Sequence, residues 1–482
     1  MRNADVSHWL IAAALLAAAL LTRFYGLGDW PIYRDEKFTI LYAAERAASL
    51  TNPAYYHLVL ASLGLPLAPE TAVRLPAAVL GALAIPAMYL LWAPVLGRAG
   101  AVFAAVLLLF SPWHLFHSQY ARFYGGVVLL TIMSTATFFT ALRAGSMPRL
   151  VLAVGLALLA VLFHATAVTV LAGFYAWALY VHVTSRGRGA VERRLAKVVV
   201  LGGIVPGAAL AVVLVPIAAD WLAARQGWQV NPVRFAGRLA FDLELVLGAA
   251  ALLGVLRSLA LKQERGAFLL VMLAATAGLP LAATAVFDMR TDYAIAALPL
   301  VCIAATQVFL ATEADPAAGA AWPRLALPAL LLVPLLPPFV SHYLERHTLD
   351  AREAVAYVES RREAGDRVYT YSTAYDYYVD AGAALLPYIG HPVLHAGRWE
   401  PCLNRYLNTA ERVWLLLRRT GDELTPDLER WLTTHAALKW RQYAVRFDRR
   451  VEGFEVYLAE RPDAPLAPDH CSVERAAAEP AE

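Results

Sequence analysis

Charge is what this sequence has least of. Only 16% of its 482 residues are Asp, Glu, Lys or Arg, against about a quarter in an ordinary soluble protein. A chain so poor in charge lacks the polar surface a soluble protein needs. Its formal net charge is +3 and no basic stripe is present, so no nucleic-acid partner is expected. Cysteine is also scarce: Cys302, Cys402 and Cys471 are all there are. No CxxC or Cys/His spacing marks a metal site. Cys402 and Cys471 suit a disulfide in an oxidising compartment and suit two free buried thiols equally well. There is no GxSxG nucleophile motif, no glycine-rich phosphate loop or nucleotide fingerprint, and no internal repeat.

Apolar sequence is abundant instead, at 59% of residues with a mean hydropathy of +0.52. Runs of about 18 or more apolar residues recur up to position 340, each long enough to cross a bilayer core of about 30 Å. Spans are expected at 8–25, 70–96, 98–117, 122–142, 148–163, 165–183, 195–219, 240–260, 266–287, 293–312 and 323–342, about eleven in all. The first run, 9–21, lacks the flanking positives and cleavage site of a removed signal and reads as a retained span. Arg186, Arg188, Arg193, Arg194 and Lys197 crowd one short connection and mark it as cytoplasmic. Counting from there puts the N-terminus inside and the C-terminal part outside. The long segments 26–69, 220–240 and beyond 343 then all fall on the outer face.

After Tyr343 charges and turn residues become frequent. A helix is expected over 350–364, stopped at Gly365-Asp366, and strands over 367–372, 412–417, 440–447 and 454–459. Thr425-Pro426 reads as an N-cap with proline at the first helical position. The organisation expected is an α-helical polytopic membrane domain over 1–343, a small extracytoplasmic α/β domain over 344–462, and an Ala/Pro/Glu-rich disordered tail over 463–482.

Residues suited to chemistry cluster at the outer helix ends. Arg34-Asp35-Glu36-Lys37 follows the first span; carboxylates flanked by cations suit a base beside an anion site, and equally a solvated interfacial loop. Asn52-Pro53-Ala54-Tyr55-Tyr56-His57 opens a stretch too short to cross, expected to be interfacial or re-entrant. Its histidine suits packing at least as well as binding. Ser111-Pro112 ends one helix, and Arg122 and Tyr124 open the next. A guanidinium offers forked donors to a phosphate, although Trp, Tyr and Arg also serve as interfacial anchors. Arg290 lies at a third outer junction, suited to a phosphate or to pairing with Asp288 or Asp292. Arg225, Arg234 and Arg238 add cations in the 220–240 loop, and His164 reads as structural. The topology count brings the acidic pair, Arg122 and Arg290 out on one side, a fit place for a lipid phosphate.

The order of these motifs resembles the GT-C class of membrane glycosyltransferases, in particular bacterial relatives of the protein O-mannosyltransferases and the lipid A aminoarabinose transferase. The matching pieces are Asp35-Glu36, Asn52-Pro53 with its tyrosines, Glu70 with Arg74-Leu75-Pro76, Ser111-Pro112 with Ser118-Gln119 through Tyr124, and Arg290 through Tyr293. Two positions depart from the pattern: Asn52 stands where a proline is usual, and Tyr120 where an acidic residue is common.

The resemblance implies an inverting sugar transfer from a polyprenyl-phosphate carrier to a hydroxyl of an envelope glycan, lipid or protein, on the outer face of the plasma membrane. It implies Asp35 as base with Glu36 orienting, Arg122, Lys37 and Arg290 on the donor phosphate, and Arg34, Tyr55, His57 and Tyr124 lining the cavity. Tyr120 removes a carboxylate, so no metal and no other cofactor is expected. A transporter or lipid flippase is the rival reading, but it favours charges inside the spans and inverted repeats, and neither is seen.

Overall fold

Alanine- and leucine-rich stretches form helices readily, and in a bilayer a helix satisfies every backbone polar group within its own segment. The structure, a computed structural model, describes residues 3–32, 34–49, 52–184, 191–203, 232–284, 289–309, 329–344, 351–370, 377–379, 385–386, 399–420, 425–445, 451–464 and 466. Packing divides the chain into two compact units. The first comprises Met1–Tyr25, Ala43–Pro66 and Ala72–Val340, and the second Gly26–Tyr42, Leu67–Thr71 and Ser341–Glu482.

The first unit is helical. Its elements begin with α1 (Asn3–Phe24); α2 (Arg34–Leu41) belongs to the second unit, and α3 (Ala43–Ala48) and α4 (Pro53–Leu63) follow. Next come α5 (Pro69–Phe110), α6 (Pro112–Ser118), α7 (Tyr124–Ala144), α8 (Met147–Phe163), α9 (Val168–Val183) and α10 (191–203). Beyond these lie α11 (Pro232–Asp242), α12 (Leu245–Ala260), α13 (Glu264–Leu273), α14 (Leu279–Ala283), α15 (Ala297–Thr306) and α16 (Leu336–Leu344). Among the described residues five helices are long and apolar enough to cross a membrane, or six if α11 and α12, bent by 92°, count as one broken span. The chain is a polytopic helical membrane protein. The expected eleven crossings included segments that prove shorter, such as α8 and α15, and segments at 204–231 and 310–328 that lie outside the described residues.

Two of the expected crossings are joined in α5. Its 42 residues measure about 63 Å at 1.5 Å per residue, twice a bilayer core, and Gly97 interrupts it at φ 74°, ψ 163°. Near that break, Arg98 donates to Ser7 Oγ at 3.1 Å and the Tyr89 hydroxyl lies 2.7 Å from His8 Nδ1. At the far end Arg23 donates to the carbonyl of Leu109 at 2.8 Å. The 98–110 segment therefore runs alongside α1 in the same direction. Trp9, Leu10, Leu21, Val151 and Leu152 are exposed, which is the expected surface of a protein solvated by lipid tails.

Glycine lets helices approach closely where tight packing drives association in a bilayer. A Cβ built on Gly254 of α12 would lie 1.9 Å from the carbonyl oxygen of Ala304 in α15, whereas Gly248 on the same helix has nothing within 4 Å. Gly254→Ala should therefore lower stability by about 1–3 kcal/mol through overpacking, and Gly248→Ala should raise it by roughly 0.5–1 kcal/mol. Unfolding temperatures of the two variants in detergent check the pair.

The second unit carries a four-stranded sheet ordered β1-β2-β4-β3, with β1 (Arg367–Thr370), β2 (Arg412–Thr420), β3 (Ala436–Val445) and β4 (Val451–Glu460). The β1–β2 pair is parallel and the other pairs are antiparallel. Strand alternation splits β2 between two cores. Trp414 and Leu416 pack with α17 (Ala351–Glu359) on one face. Val413, Leu415 and Leu417 pack with α18 (Trp399–Thr409) and α19 (Pro426–His435) on the other. Each expected strand overlaps an observed one, although β3 and β4 begin earlier, at Ala436 and Val451 rather than at 440 and 454, and Thr425 caps α19 by accepting from the Leu428 N–H at 3.4 Å, with Pro426 following. Cys302 is a buried free thiol and Cys402 is disulfide-bonded; Cys471 and nearly all of the 463–482 tail lie outside the described residues.

The opening loop belongs to this second unit. The Tyr378 hydroxyl accepts from the Ile32 N–H at 2.5 Å and donates to Glu70 at 3.1 Å. Arg352 donates to the Asp29 carbonyl at 2.6 Å, and Trp30 packs on His342 with ring centroids 4.8 Å apart. Residues 29–32 and Glu70 are thereby tied to His342, Arg352 and Tyr378 within this unit.

Candidate active site

A chain entering α7 from α6 must turn within five residues, and two buried polar side chains set that turn. Ser111 caps α6 by accepting from the His114 N–H at 3.3 Å. The Gln119 amide donates to the carbonyls of Arg23 and Tyr25 at 3.1 and 2.9 Å. Arg23, fully buried at the end of α1, donates to the last carbonyls of α5, at Leu109 and Leu108, and to His114 Nδ1 at 2.9 Å. A cation there meets the negative end of a helix. Burial, then the charges of Arg23 and His117, hold the His114 imidazole well below its usual pKa. Arg23 and Gln119 thus brace the junction.

Arg122 emerges from this turn, half-buried, its guanidinium 4.9 Å from the centre of the Phe123 ring. Phe123 stacks on His164 at 4.1 Å, and His164 stacks on Tyr293 at 5.4 Å. Tyr124 lies 4.5 Å from the His117 ring and 5.8 Å from His164. Asp292 sits between two cations or cation-capable groups: Oδ1 accepts from His117 Nε2 at 3.1 Å, and Oδ2 accepts from Arg290 Nη2 and Nε at 2.9 and 3.2 Å. Arg122 and Arg290 both act electrostatically on His164 and on Tyr124. Segments some 170 positions apart in the chain therefore deliver two guanidiniums to one neighbourhood.

The electrostatics follow from that arrangement. Loss of solvation, then Arg122 and Arg290 against the opposing pull of Asp292, pushes His164 down to about 3, so the ring is neutral at physiological pH. Loss of solvation alone would raise Asp292, but its hydrogen bond and charge interaction with His117 and its pairing with Arg290 hold it well below the usual carboxylate range. Two guanidiniums thus reach one neighbourhood at the ends of apolar helices, where Asp292 holds one of them. Such a place can receive a phosphate.

The other expected residues are distributed as follows. Asp35, Glu36 and Lys37 lie in the first turn of α2 in the second unit, where unpaired helix N–H groups favour carboxylates. Asp35 and Lys37 are half-buried, while Glu36 is only 1% exposed. Arg34 opens α2; its side chain lies outside the described residues, as do Asp288 and Arg225. Tyr55 is fully buried in α4 against Phe123 and Phe163 at 6.1 and 6.4 Å, one step from the Arg122 neighbourhood. His57 is exposed, on the α4 face that also exposes Leu58 and Leu60. Arg238 pairs with Asp242 at 3.1 Å, and Asp242 accepts from Thr291 Oγ1 at 2.5 Å, tying α11 to the Arg290 segment. Among the described residues no three His, Cys, Asp or Glu side chains gather to hold a metal.

Sequence reasoning reads His164 as structural and assigns His117 no role; the structure sets His117 against Asp292 and His164 between Phe123 and Tyr293. A histidine in an aromatic-rich stretch gives no signal along the chain that tells packing from a polar contact.

No family model matches the sequence and no curated relative does. Solved structures do. ArnT from Cupriavidus metallidurans in its apo state aligns at 15% identity and a TM-score of 0.55, over 93% of this chain and 98% of that one. ArnT from the same organism bound to undecaprenyl phosphate aligns at 14% and 0.56, over 96% and 99%. An Archaeoglobus fulgidus oligosaccharyltransferase in complex with Zn and sulfate aligns at 12% and 0.55, over 89% and 71%. The helical architecture and these alignments agree: this chain shares the fold of ArnT and of the archaeal oligosaccharyltransferase, as the resemblance to the GT-C class led one to expect.

Proposed function

We propose that this protein is an inverting membrane glycosyltransferase that moves a sugar from a polyprenyl-phosphate carrier to a hydroxyl on the extracytoplasmic face of the plasma membrane. The observation that carries the reading is that Arg122 and Arg290 both act on His164 and Tyr124 at helix ends, in a fold shared with a protein solved with undecaprenyl phosphate. The orientation follows the cations of 185–197, which place that side in the cytoplasm and the C-terminal domain outside. Nucleotide sugars are absent outside the cytoplasm, so a lipid-borne donor fits both the compartment and the missing nucleotide motif.

In this reaction Asp35 takes the acceptor proton as the hydroxyl attacks the anomeric carbon opposite the phosphate. The carbon–oxygen bond to the phosphate breaks, and the leaving phosphate gains one negative charge. Arg122, Arg290 and Lys37 stabilise that added charge, which is larger in the transition state than in the bound donor. Glu36 orients Asp35, and Arg34, Tyr55, His57 and Tyr124 contribute to the substrate cavity. The acceptor is an envelope glycan, lipid or protein. No divalent metal is required, because guanidinium groups supply the positive charge that a metal would.

Purified protein in detergent should transfer label from a polyprenyl-phosphate sugar to an envelope extract and release polyprenyl phosphate, while a nucleotide sugar gives no product. EDTA should leave the initial rate within about twofold, whereas loss of a required Lewis acid removes several kcal/mol of stabilisation. No transfer from any polyprenyl-phosphate sugar overturns the reading; strong EDTA inhibition overturns the metal-free mechanism alone.

A further inference from the structure

The geometry points to His117 and Asp292 as positioning residues that aim Arg290 at the donor phosphate, an inference that rests on the donor reading above. Both oxygens of Asp292 are committed, Oδ1 to His117 and Oδ2 to two nitrogens of Arg290, so the carboxylate cannot turn without breaking one side. A guanidinium bound along its Nε–Nη2 edge has its plane fixed. The Arg290 side chain is 52% exposed while Asp292 is 17% exposed, so the flexible, solvated partner is held by the buried one.

His117 is the inner anchor. Its side chain is 2% exposed, and its ring is enclosed by Trp113, Phe116, Tyr120 and Tyr124, with centroids 4.5–6.4 Å away. Its Nδ1 is buried with no hydrogen-bond partner. A buried polar atom left unsatisfied is costly, and a ring chosen only for packing would not carry it. The orientation that sacrifices Nδ1 is the one that gives Nε2 to Asp292. A carboxylate beside an anion site would also repel the ligand; bound on both sides, it serves instead to hold a cation in place. Positioning of this kind acts through Arg290, so the three residues should behave as one unit.

A double-mutant cycle tests this, read as binding of undecaprenyl phosphate to the purified full-length protein and as KM for the donor. D292N and H117F should each weaken binding by about tenfold, and H117Q, whose amide nitrogen replaces Nε2, should stay within about threefold of the parent. Added to R290A, neither D292N nor H117F should weaken binding further, and D292N should recover some of it by removing a carboxylate left without its cation. Full additive losses in the R290A background, or no loss in the single variants, overturn the inference. Absence of undecaprenyl phosphate binding by the unmodified protein overturns the donor reading itself, a different result. Unfolding temperatures confirm that each variant is folded, and the isosteric D292N and the conservative H117Q keep the test decisive if H117F is unstable.

Discussion

Asp35→Asn should abolish sugar transfer, lowering kcat by about 10³-fold or more, because a positioned general base contributes on the order of 10²–10⁴. The substitution keeps the shape of the side chain and removes only its ability to accept a proton. Asp35 is half-buried in the first turn of α2 and its backbone carbonyl accepts from Thr39 Oγ1 at 3.0 Å, a contact that Asn retains. The neighbouring position provides contrast. Glu36 is 1% exposed, and replacing a buried carboxylate perturbs whatever surrounds it. Glu36→Gln should therefore lower the unfolding temperature and reduce transfer less than Asp35→Asn does. Label transfer from a polyprenyl-phosphate sugar, with melting curves of both variants, separates the two. A fully active Asp35→Asn enzyme removes Asp35 from the mechanism.

The second large effect is expected at Arg122. Arg122→Ala should cost about 10²–10³ in kcat/KM, the usual loss when one donor to a developing oxyanion is deleted. Arg122→Lys should recover only part of it, since an ammonium keeps the charge but not the forked geometry. Arg23 donating to the end of α5 and Gln119 donating to the end of α1 brace the same junction, and the unfolding temperature of Arg122→Ala checks that they hold it. Kinetics unchanged from the parent protein in Arg122→Ala would reduce its charge to an interfacial anchor. Tyr124 and His164 share its neighbourhood.

Much of the architecture was legible in the sequence because it depends on local patterns. Apolar runs of bilayer length declared the membrane helices, and strand-like patterning with the Thr425-Pro426 cap declared the sheet and one of its helices. The positions of Arg122 and Arg290 at helix ends followed from where the apolar runs stop. The number of crossings did not follow, since hydropathy cannot distinguish α5, which passes through a break at Gly97, from two separate helices, nor a bent pair such as α11 and α12 from a single crossing.

The site divides along the same line. Residue type and order by themselves determined that carboxylates and guanidiniums lie at helix ends of a membrane protein, because charges are expensive in lipid and a linear pattern records where they are excluded. Tertiary structure alone decided that Asp292 joins His117 to Arg290, that His164 stacks between Phe123 and Tyr293, and that the opening loop is tied to the soluble domain through Tyr378 and Arg352. Those contacts join segments tens to hundreds of residues apart, and their partners are set by helix packing and side-chain rotation, neither of which leaves a periodic trace along the chain.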